Sequence, residues 1–190
     1  SGSVHLGTGV LSLAGGDAGT GGGSYDVGSA ATLQLTAGSY VVGALSNAGA
    51  VLASGGTLAA DSVNNRLGGV VTIDGAAMTA GPGAYANAGV TTLQSGTLSV
   101  AELNNSGTFN LNGGTFTPTK GKALKNSGTV HIDTGTLSLD AGDGGVSGGN
   151  YEVGSTATLR FVSGSYNVGS VSGLGNSEID GASISASSVS

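Results

Sequence analysis

The sequence predicts an all-β protein, a right-handed parallel β-helix with rungs of roughly 20 residues. Glycine occupies 39 of the 190 positions, yet 38% of the residues are hydrophobic. Short segments alternate apolar and polar residues between Gly, Asn, Asp and Ser, as β-strands bounded by turns do. An asparagine followed two or three positions later by glycine returns at intervals of roughly 18 to 22 residues, which is the range of solenoid repeats.

The composition excludes two other glycine-rich classes. Collagen needs glycine at every third position and abundant proline, but this chain has two prolines and no such period. Disordered chains are poor in apolar residues and rich in charge, whereas only 8% of these residues are charged. Because glycine inside a regular element costs about 0.5 to 1 kcal/mol relative to alanine, so many glycines indicate a repeat that places them at turns.

Charge and cysteine content limit the function classes. A formal charge of −6 and a pI near 4.4 oppose binding to nucleic acid or to an anionic membrane surface. No apolar run approaches the roughly 20 residues of a membrane span, so membrane insertion is not expected. The absence of cysteine removes disulfides and thiolate metal sites.

A long repeat spans most of the chain. Laying 1–64 over 127–190 needs no gap and gives identity at roughly half of the positions, far above what composition alone yields. We therefore expect one continuous β-helix over 1–190, with 1–126 as one long repeat and 127–190 as the start of the next. Both ends lie in mid-pattern, which predicts a segment cut from a longer repeat protein.

A shorter unit lies within the long repeat, and 105–117 shows it most clearly. An antiparallel arrangement would favour tight two-residue turns and units near ten residues, whereas a unit near 20 residues suits stacked parallel rungs. Roughly nine rungs would form a rod some 45 Å long. The turn asparagines would then form one column with hydrogen bonds along the stack. Its predicted members are Asn47, Asn65, Asn87, Asn105 and Asn126.

Alternation assigns faces to the strands. Val130 and Ile132 are expected to point inward and His131 outward, and His5 occupies the matching place in the first copy. A lone exposed histidine is usually a solvated side chain, so neither is predicted to bind a metal.

Four of the alternating segments carry a tyrosine. These residues are Tyr25, Tyr40, Tyr151 and Tyr166. They fit either partly buried rings beside the apolar ladders or a platform on which a ligand stacks. The glycine-rich runs 15–23 and 141–149 are too loose for strands. We expect each of them to bulge from the rod as a loop.

Candidate chemistry is sparse. Asp133 and Asp140 are expected on neighbouring strands of one rung, where two carboxylates would suit acid–base work, but the first copy has Gly7 and Ala14 at those places. No catalytic residue and no cofactor are therefore predicted. Asp140 and Asp143 are the weak candidates for a metal ligand, in a stretch resembling superficially the glycine–aspartate repeat of calcium-binding β-rolls.

Basic residues are few as well. Lys120, Lys122 and Lys125 form one short basic loop without interleaved aromatic residues. This pattern does not favour nucleic-acid binding.

The pattern resembles that of a known class of secreted proteins at the segments NSGTFNLNGGTF and NSGTVHIDTGTLSL. It is similar to the repeats of filamentous-haemagglutinin-type exoproteins and of autotransporter passenger domains. The resemblance covers essentially the whole chain. It implies a right-handed parallel β-helix displayed on, or released from, the surface of a Gram-negative bacterium, and it carries over no functional residues.

Two functions remain open at this point. One is a structural or adhesive segment, a stiff rod presenting loops to a host-surface or extracellular glycan or protein receptor, or associating with itself. The other is a carbohydrate-active or glycan-binding β-helix. No enzymatic activity is expected, and the expected location is extracellular or on the outer cell surface.

Overall fold

The chain forms a parallel β-solenoid. A computed structural model describes residues 2–17, 21–119, 124–144 and 148–190. Its strands belong to one sheet of 19 members, and every strand pair is parallel. The described residues contain no helix. The predicted fold class is confirmed, with about nine stacked turns of about 20 residues, while the right hand of the coil stays a prediction.

Most strands have only three or four residues, because most rung corners turn at glycine, asparagine or serine. In chain order they are β1 Ser3–Leu13, β2 Ser24–Leu35, β3 Ser39–Asn47, β4 Ala50–Ala53, β5 Thr57–Asn65, β6 Val70–Ile73, β7 Ala77–Ala80, β8 Tyr85–Asn87, β9 Val90–Leu93, β10 Thr97–Val100, β11 Leu103–Asn105, β12 Thr108–Leu111, β13 Thr115–Pro118, β14 Leu124–Asn126, β15 Thr129–Leu139, β16 Asn150–Phe161, β17 Ser165–Gly173, β18 Asn176–Ile179 and β19 Ser183–Val189.

The strand pairs define three faces around the axis. The first face stacks 3–6, 24–27, 44–47, 62–65, 85–87, 103–105 and 124–126. The second face stacks nine segments, 10–13, 32–35, 50–53, 70–73, 90–93, 108–111, 129–132, 150–153 and 170–173. The third face stacks 39–42, 57–60, 77–80, 97–100 and 115–118. Along the chain, each rung visits the first, second and third faces in that order.

The same order continues beyond residue 132. Segments 156–161 and 176–179 pair with each other and follow second-face segments, so they lie on the third face. Segments 165–168 and 183–186 pair next and lie on the first face. Long strands such as β1 continue round a corner through a register shift between Leu6 and Thr8.

The core is the narrow interior of the coil. On every face alternate side chains point inward, and because the rungs are in register these side chains stack into ladders. One of the ladders of the second face consists of the buried residues Leu33, Val51, Val71, Thr91, Phe109, Val130, Tyr151 and Val171. Burial of one such apolar side chain stabilises the fold by about 1.5 to 3 kcal/mol.

Close stacking explains the glycine of the Asn-x-Gly turn. A Cβ at Gly107 would clash with the carbonyl oxygen of Gly89 in the preceding rung, and a Cβ at Gly128 would clash with that of Gly107. The amide of Thr129 donates to the Gly107 carbonyl at 2.9 Å, which holds the rungs at this separation. Glycine is therefore required by the approach of one rung to the next.

Candidate functional site

The five turn asparagines form a hydrogen-bonded ladder inside the solenoid. Each is at most 1% exposed. The side-chain amide of each asparagine donates to the side-chain oxygen of the next one, over 2.9, 2.8, 2.7 and 2.8 Å in chain order. The members are Asn47, Asn65, Asn87, Asn105 and Asn126. We call this column the asparagine ladder.

The ladder also satisfies the backbone at the corner between the first and second faces. The second N–H of the Asn87 amide donates to the carbonyl of Thr108 at 2.9 Å, and that of Asn105 donates to the carbonyl of Thr129 at 3.1 Å. Buried polar groups are costly unless they are paired, and here both amide protons find acceptors. The ladder is thus occupied in holding rungs together and offers no side chain to a ligand.

A polar branch joins the ladder at Thr91. The hydroxyl of Thr91 donates to Asn87 Oδ1 at 3.0 Å, and the hydroxyl oxygens of Thr91 and Tyr85 are 2.9 Å apart. All three residues are buried. Sequence reasoning missed this branch, although a threonine at an inward position that is valine or phenylalanine in the neighbouring rungs was a usable signal.

The tyrosines expected to stack a ligand are mostly internal. Tyr40, Tyr151 and Tyr166 are buried. The ligand-stacking prediction is therefore wrong for these three, because an inward ring packs against apolar neighbours and presents no face to solvent. The Tyr151 ring lies 5.9 Å from that of Phe161, which lies 4.9 Å from that of Tyr166. Tyr25 is partly exposed, and for it the prediction stays open.

Burial changes the acidity of the tyrosine hydroxyls. Loss of hydration raises the pKa of Tyr85 well above its usual range, opposed by the hydrogen bond with Thr91. Burial likewise raises the pKa of Tyr151, with the negative charge of Asp143 adding to the rise and a hydrogen bond with Asn126 opposing it. These hydroxyls are structural donors and acceptors in their neutral form.

Two of the tyrosines bind the backbone at the start of the glycine-rich runs. The hydroxyl of Tyr40 accepts a hydrogen bond from the amide of Gly16 at 2.9 Å. The hydroxyl of Tyr166 accepts one from the amide of Gly142 at 3.0 Å. The two arrangements are equivalent in the long repeat, so each copy fixes its glycine-rich run in the same way.

An aspartate near the start of each glycine-rich run also binds the backbone of the next rung. Asp17 Oδ2 accepts from the amide of Val41 at 2.8 Å, and the Asp17 amide donates to Ser39 at 2.8 Å. In the second copy Asp143 Oδ2 accepts from the amide of Asn167 at 2.7 Å. We call these two aspartates, with Tyr40 and Tyr166, the loop anchors. Residues 18–20 and 145–147, within the predicted loops 15–23 and 141–149, lie outside the described residues.

The anchoring role bears on the predicted metal ligands. Asp143 is buried and its carboxylate is engaged by the backbone, which is a structural use of that side chain. Within the described ranges no group of three or more histidine, cysteine, aspartate or glutamate side chains is placed to hold a metal ion.

The expected carboxylate pair is corrected by the structure. Asp133 lies within β15 and Asp140 directly follows the end of that same strand, so they are not on neighbouring strands. The six intervening residues, 134–139, pair in register with 156–161 of β16, so the two Cα atoms are about 20 Å apart at about 3.3 Å per residue. Paired carboxylates in glycosidases lie within about 5 to 9.5 Å, so this pair does not fit that chemistry.

The two histidines lie at the surface and each pairs with an acid one rung later. His5 Nδ1 is 3.0 Å from Asp26 Oδ2, and His131 Nδ1 is 2.8 Å from Glu152 Oε2. Arg66 approaches the other oxygen of Asp26 at 3.5 Å. Exposed pairs of this kind contribute about 0 to 1 kcal/mol each.

The predicted basic loop is only partly described. Lys120 and Lys122 lie outside the described residues. Lys125 belongs to β14 on the first face, and its Nζ is 3.1 Å from Glu102 Oε1.

Comparisons with protein-family models, with curated proteins and with solved structures found no match to this chain. Over the part of the chain that is described, no helix is long and apolar enough to cross a membrane.

Proposed function

We propose that the chain is a structural and adhesive segment of a large secreted or surface-displayed bacterial protein, in which a stiff rod presents loops. The observation that carries this proposal is the continuity of the column. Parallel strand pairing links all 19 strands into one sheet, and the asparagine ladder adds hydrogen bonds along the axis inside it. Stacked repeats contacting only their neighbours form extended scaffolds.

The loop anchors support the adhesive part of the proposal. Both copies of the long repeat hold the start of a glycine-rich run against the next rung, through Asp17 with Tyr40 and through Asp143 with Tyr166. A loop whose root is fixed by hydrogen bonds to the next rung can vary in sequence without disturbing the rungs. The proposed partners are glycan or protein receptors outside the cell, or a second rod.

The resemblance to filamentous-haemagglutinin-type and autotransporter repeats supports the proposed location, outside a Gram-negative cell or on its outer surface. The burial of Tyr40, Tyr151 and Tyr166 removes three of the four tyrosines on which a sugar ligand could stack, which weighs against the carbohydrate-active alternative. We therefore propose a binding and spacing role without catalysis.

A binding and activity screen tests this proposal. The chain would be applied to a glycan array and to immobilised extracellular-matrix proteins, and incubated with acidic polysaccharides. We expect binding to at least one receptor class, lost when 18–20 and 145–147 are replaced by Gly-Ser sequence and kept in the surface variant His131→Ser. Depolymerisation of a polysaccharide would overturn the non-catalytic role. Failure to bind any surface would overturn the adhesive role and leave a spacer.

A further inference from the structure

Equivalent segments of the two long repeats lie on different faces of the solenoid. Segment 3–6 belongs to the first face, where it pairs with 24–27. Its equivalent 126 residues later is 129–132, which pairs with 108–111 and 150–153 on the second face. A repeat containing a whole number of rungs would return the equivalent segment to the face on which it started.

The size of the displacement follows from the register. Six successive pairings lead up the first face from 3–6 to 124–126. The next strand segment along the chain is 129–132, on the second face. One long repeat therefore contains six complete rungs and one additional face, or 19 face segments. At about 4.8 Å per rung it advances about 30 Å along the axis.

Other features of the repeat are displaced in the same way. The pair His5 and Asp26 lies on the first face, whereas the equivalent His131 and Glu152 lie on the second.

The loop anchors follow the same rule. Asp17 bonds Ser39 and Val41 of the third face. Asp143 bonds Ser165 and Asn167, which belong to the first face.

We infer that the long repeat winds its surface features around the rod, with each copy displaced by one third of a turn and about 30 Å from the copy before it. The same feature would face the same direction again only in every third copy. This inference concerns the geometry of display and holds whether or not the loops bind a receptor.

Its consequence for partners rests on the proposed adhesive function. Equivalent described features, such as the pair His5 and Asp26 and the pair His131 and Glu152, lie on adjacent faces of the solenoid. Two partner molecules that each recognise the same feature in successive copies therefore bind different faces, about 30 Å apart along the axis. The arrangement suits cross-bridging of separate partners.

Cysteine cross-linking tests the displacement directly, because the natural chain has no cysteine. In the double variant Asn110→Cys with His131→Cys the two thiols lie on adjacent second-face strands in direct register. Neighbouring strands lie about 4.8 Å apart, within the range that a disulfide spans. We expect mild oxidation or a short bifunctional thiol reagent to link this pair nearly completely.

The matched variant is Asn104→Cys with His131→Cys. If the repeat held a whole number of rungs, 129–132 would continue the first face above 103–105, and this second pair would be the one that links. We expect it to stay unlinked. Linking of Asn104→Cys with His131→Cys, and not of the first pair, would overturn the inference.

Two further measurements complete the test. Both variants would be checked for an unchanged melting temperature before oxidation, so that misfolding does not imitate a lack of linkage. The single variants would identify links between molecules. If Asn110→Cys with His131→Cys melts early, it is replaced by Thr108→Cys with Thr129→Cys, which joins the same two second-face strands. Thr72→Cys with Thr92→Cys calibrates linkage between neighbouring strands of that face. None of these readouts depends on receptor binding, so failure of this inference is distinguishable from failure of the proposed function.

Discussion

The side-chain nitrogen Nδ2 of Asn65 lies 2.8 Å from the side-chain oxygen Oδ1 of Asn87 one rung later, in the interior of the solenoid. Asn65 therefore receives a hydrogen bond from Asn47, passes one to Asn87, and donates a second to the carbonyl of Val90 at 3.0 Å. A side chain type that usually marks an exposed turn here connects rungs from within.

Replacing Asn65 by alanine should lower the stability of the fold strongly. The change leaves the Asn47 donor and the Val90 acceptor without their buried partner, and each unsatisfied group costs about 1 to 3 kcal/mol. We expect the free energy of unfolding to fall by about 2 to 4 kcal/mol in urea titration.

Asn64 is the matched control, because it is the adjacent residue of the same type and is exposed on the outer side of β5. Asn64→Ala should change the free energy of unfolding by less than about 0.5 kcal/mol. Equal losses in the two variants would contradict a structural role for the ladder.

Replacing Leu137 by aspartate should be severely destabilising. Leu137 is buried in the third-face part of β15, so the substitution places an unpaired charge in an apolar interior. We expect a loss of more than about 3 kcal/mol, whereas His131→Ser, at the surface of the same strand, should be nearly silent. Similar melting temperatures for the two variants would show that the faces of β15 are assigned wrongly.

Replacing Leu35 by phenylalanine should stabilise the first long repeat. A small apolar cavity is lined by Leu35, Tyr25 and Tyr40, and the second copy has Phe161 at the equivalent position, packed between two tyrosine rings. Filling a cavity typically adds about 0.5 to 2 kcal/mol. We expect a higher melting temperature by calorimetry.

Leu98 provides the comparison for that substitution. It is fully buried in β10 and does not line this cavity. Leu98→Phe should therefore overpack the interior and cost about 1 to 3 kcal/mol. A loss of stability in both phenylalanine variants would refute the cavity argument.

The fold should lose stability at alkaline pH. An unfolded tyrosine has a pKa near 10. Burial raises the pKa of Tyr85 and Tyr151 above that value in the folded protein. The folded state thus holds these protons more tightly, so its stability is fully present below about pH 10 and is lost as the pH rises further.

Urea titrations between pH 8 and pH 12 check this dependence. Tyr85→Phe should lower the stability at pH 8 because the buried hydrogen bond between the Tyr85 and Thr91 hydroxyls is lost, and should flatten the decline above pH 10. An unchanged slope in the variant would show that Tyr85 does not ionise on unfolding in this range.

Replacing Asp143 by alanine should weaken the second loop anchor. The amide of Asn167 loses its acceptor, at a cost of about 1 to 3 kcal/mol, while Asp143→Asn keeps an acceptor oxygen and should cost less. Calcium should not raise the melting temperature of the natural chain. A rise with calcium that Asp143→Ala abolishes would instead support the metal-ligand prediction.

Much of the fold follows from the sequence, and particular residues show why. Val130 and Ile132 are buried and His131 is not, as the period of two requires, since successive side chains of a strand point to opposite sides. The unit near 20 residues predicts stacked parallel rungs, because identical positions then form continuous ladders. The sequence also predicts that the asparagines lie at turns, because each recurs with a glycine two or three residues later.

The orientation of the tyrosines and the partners of the loop anchors were harder to predict from the sequence. Period-two alternation assigns a side chain to one of two sides, yet it does not say which side is enclosed when the residue is amphipathic, as tyrosine is. Tyr40 and Tyr166 are inward because their rings fill the core while their hydroxyls reach the backbone of Gly16 and Gly142. The partners of Asp17 and Asp143 are some 24 residues away in sequence, where no local pattern points to them.

The sequence by itself determined the fold class of the protein. Apolar and polar residues alternate within short segments, and these segments recur in a unit of about 20 residues. Stacked parallel strands are the arrangement that buries the apolar residues of such a sequence. Only the tertiary structure decided how many faces one long repeat covers. Some corners have no Asn-x-Gly turn, as at the register shift between Leu6 and Thr8 inside the continuous strand β1. Where the chain bends depends on how each rung packs on the one before it, and that packing places equivalent segments of the two copies on different faces.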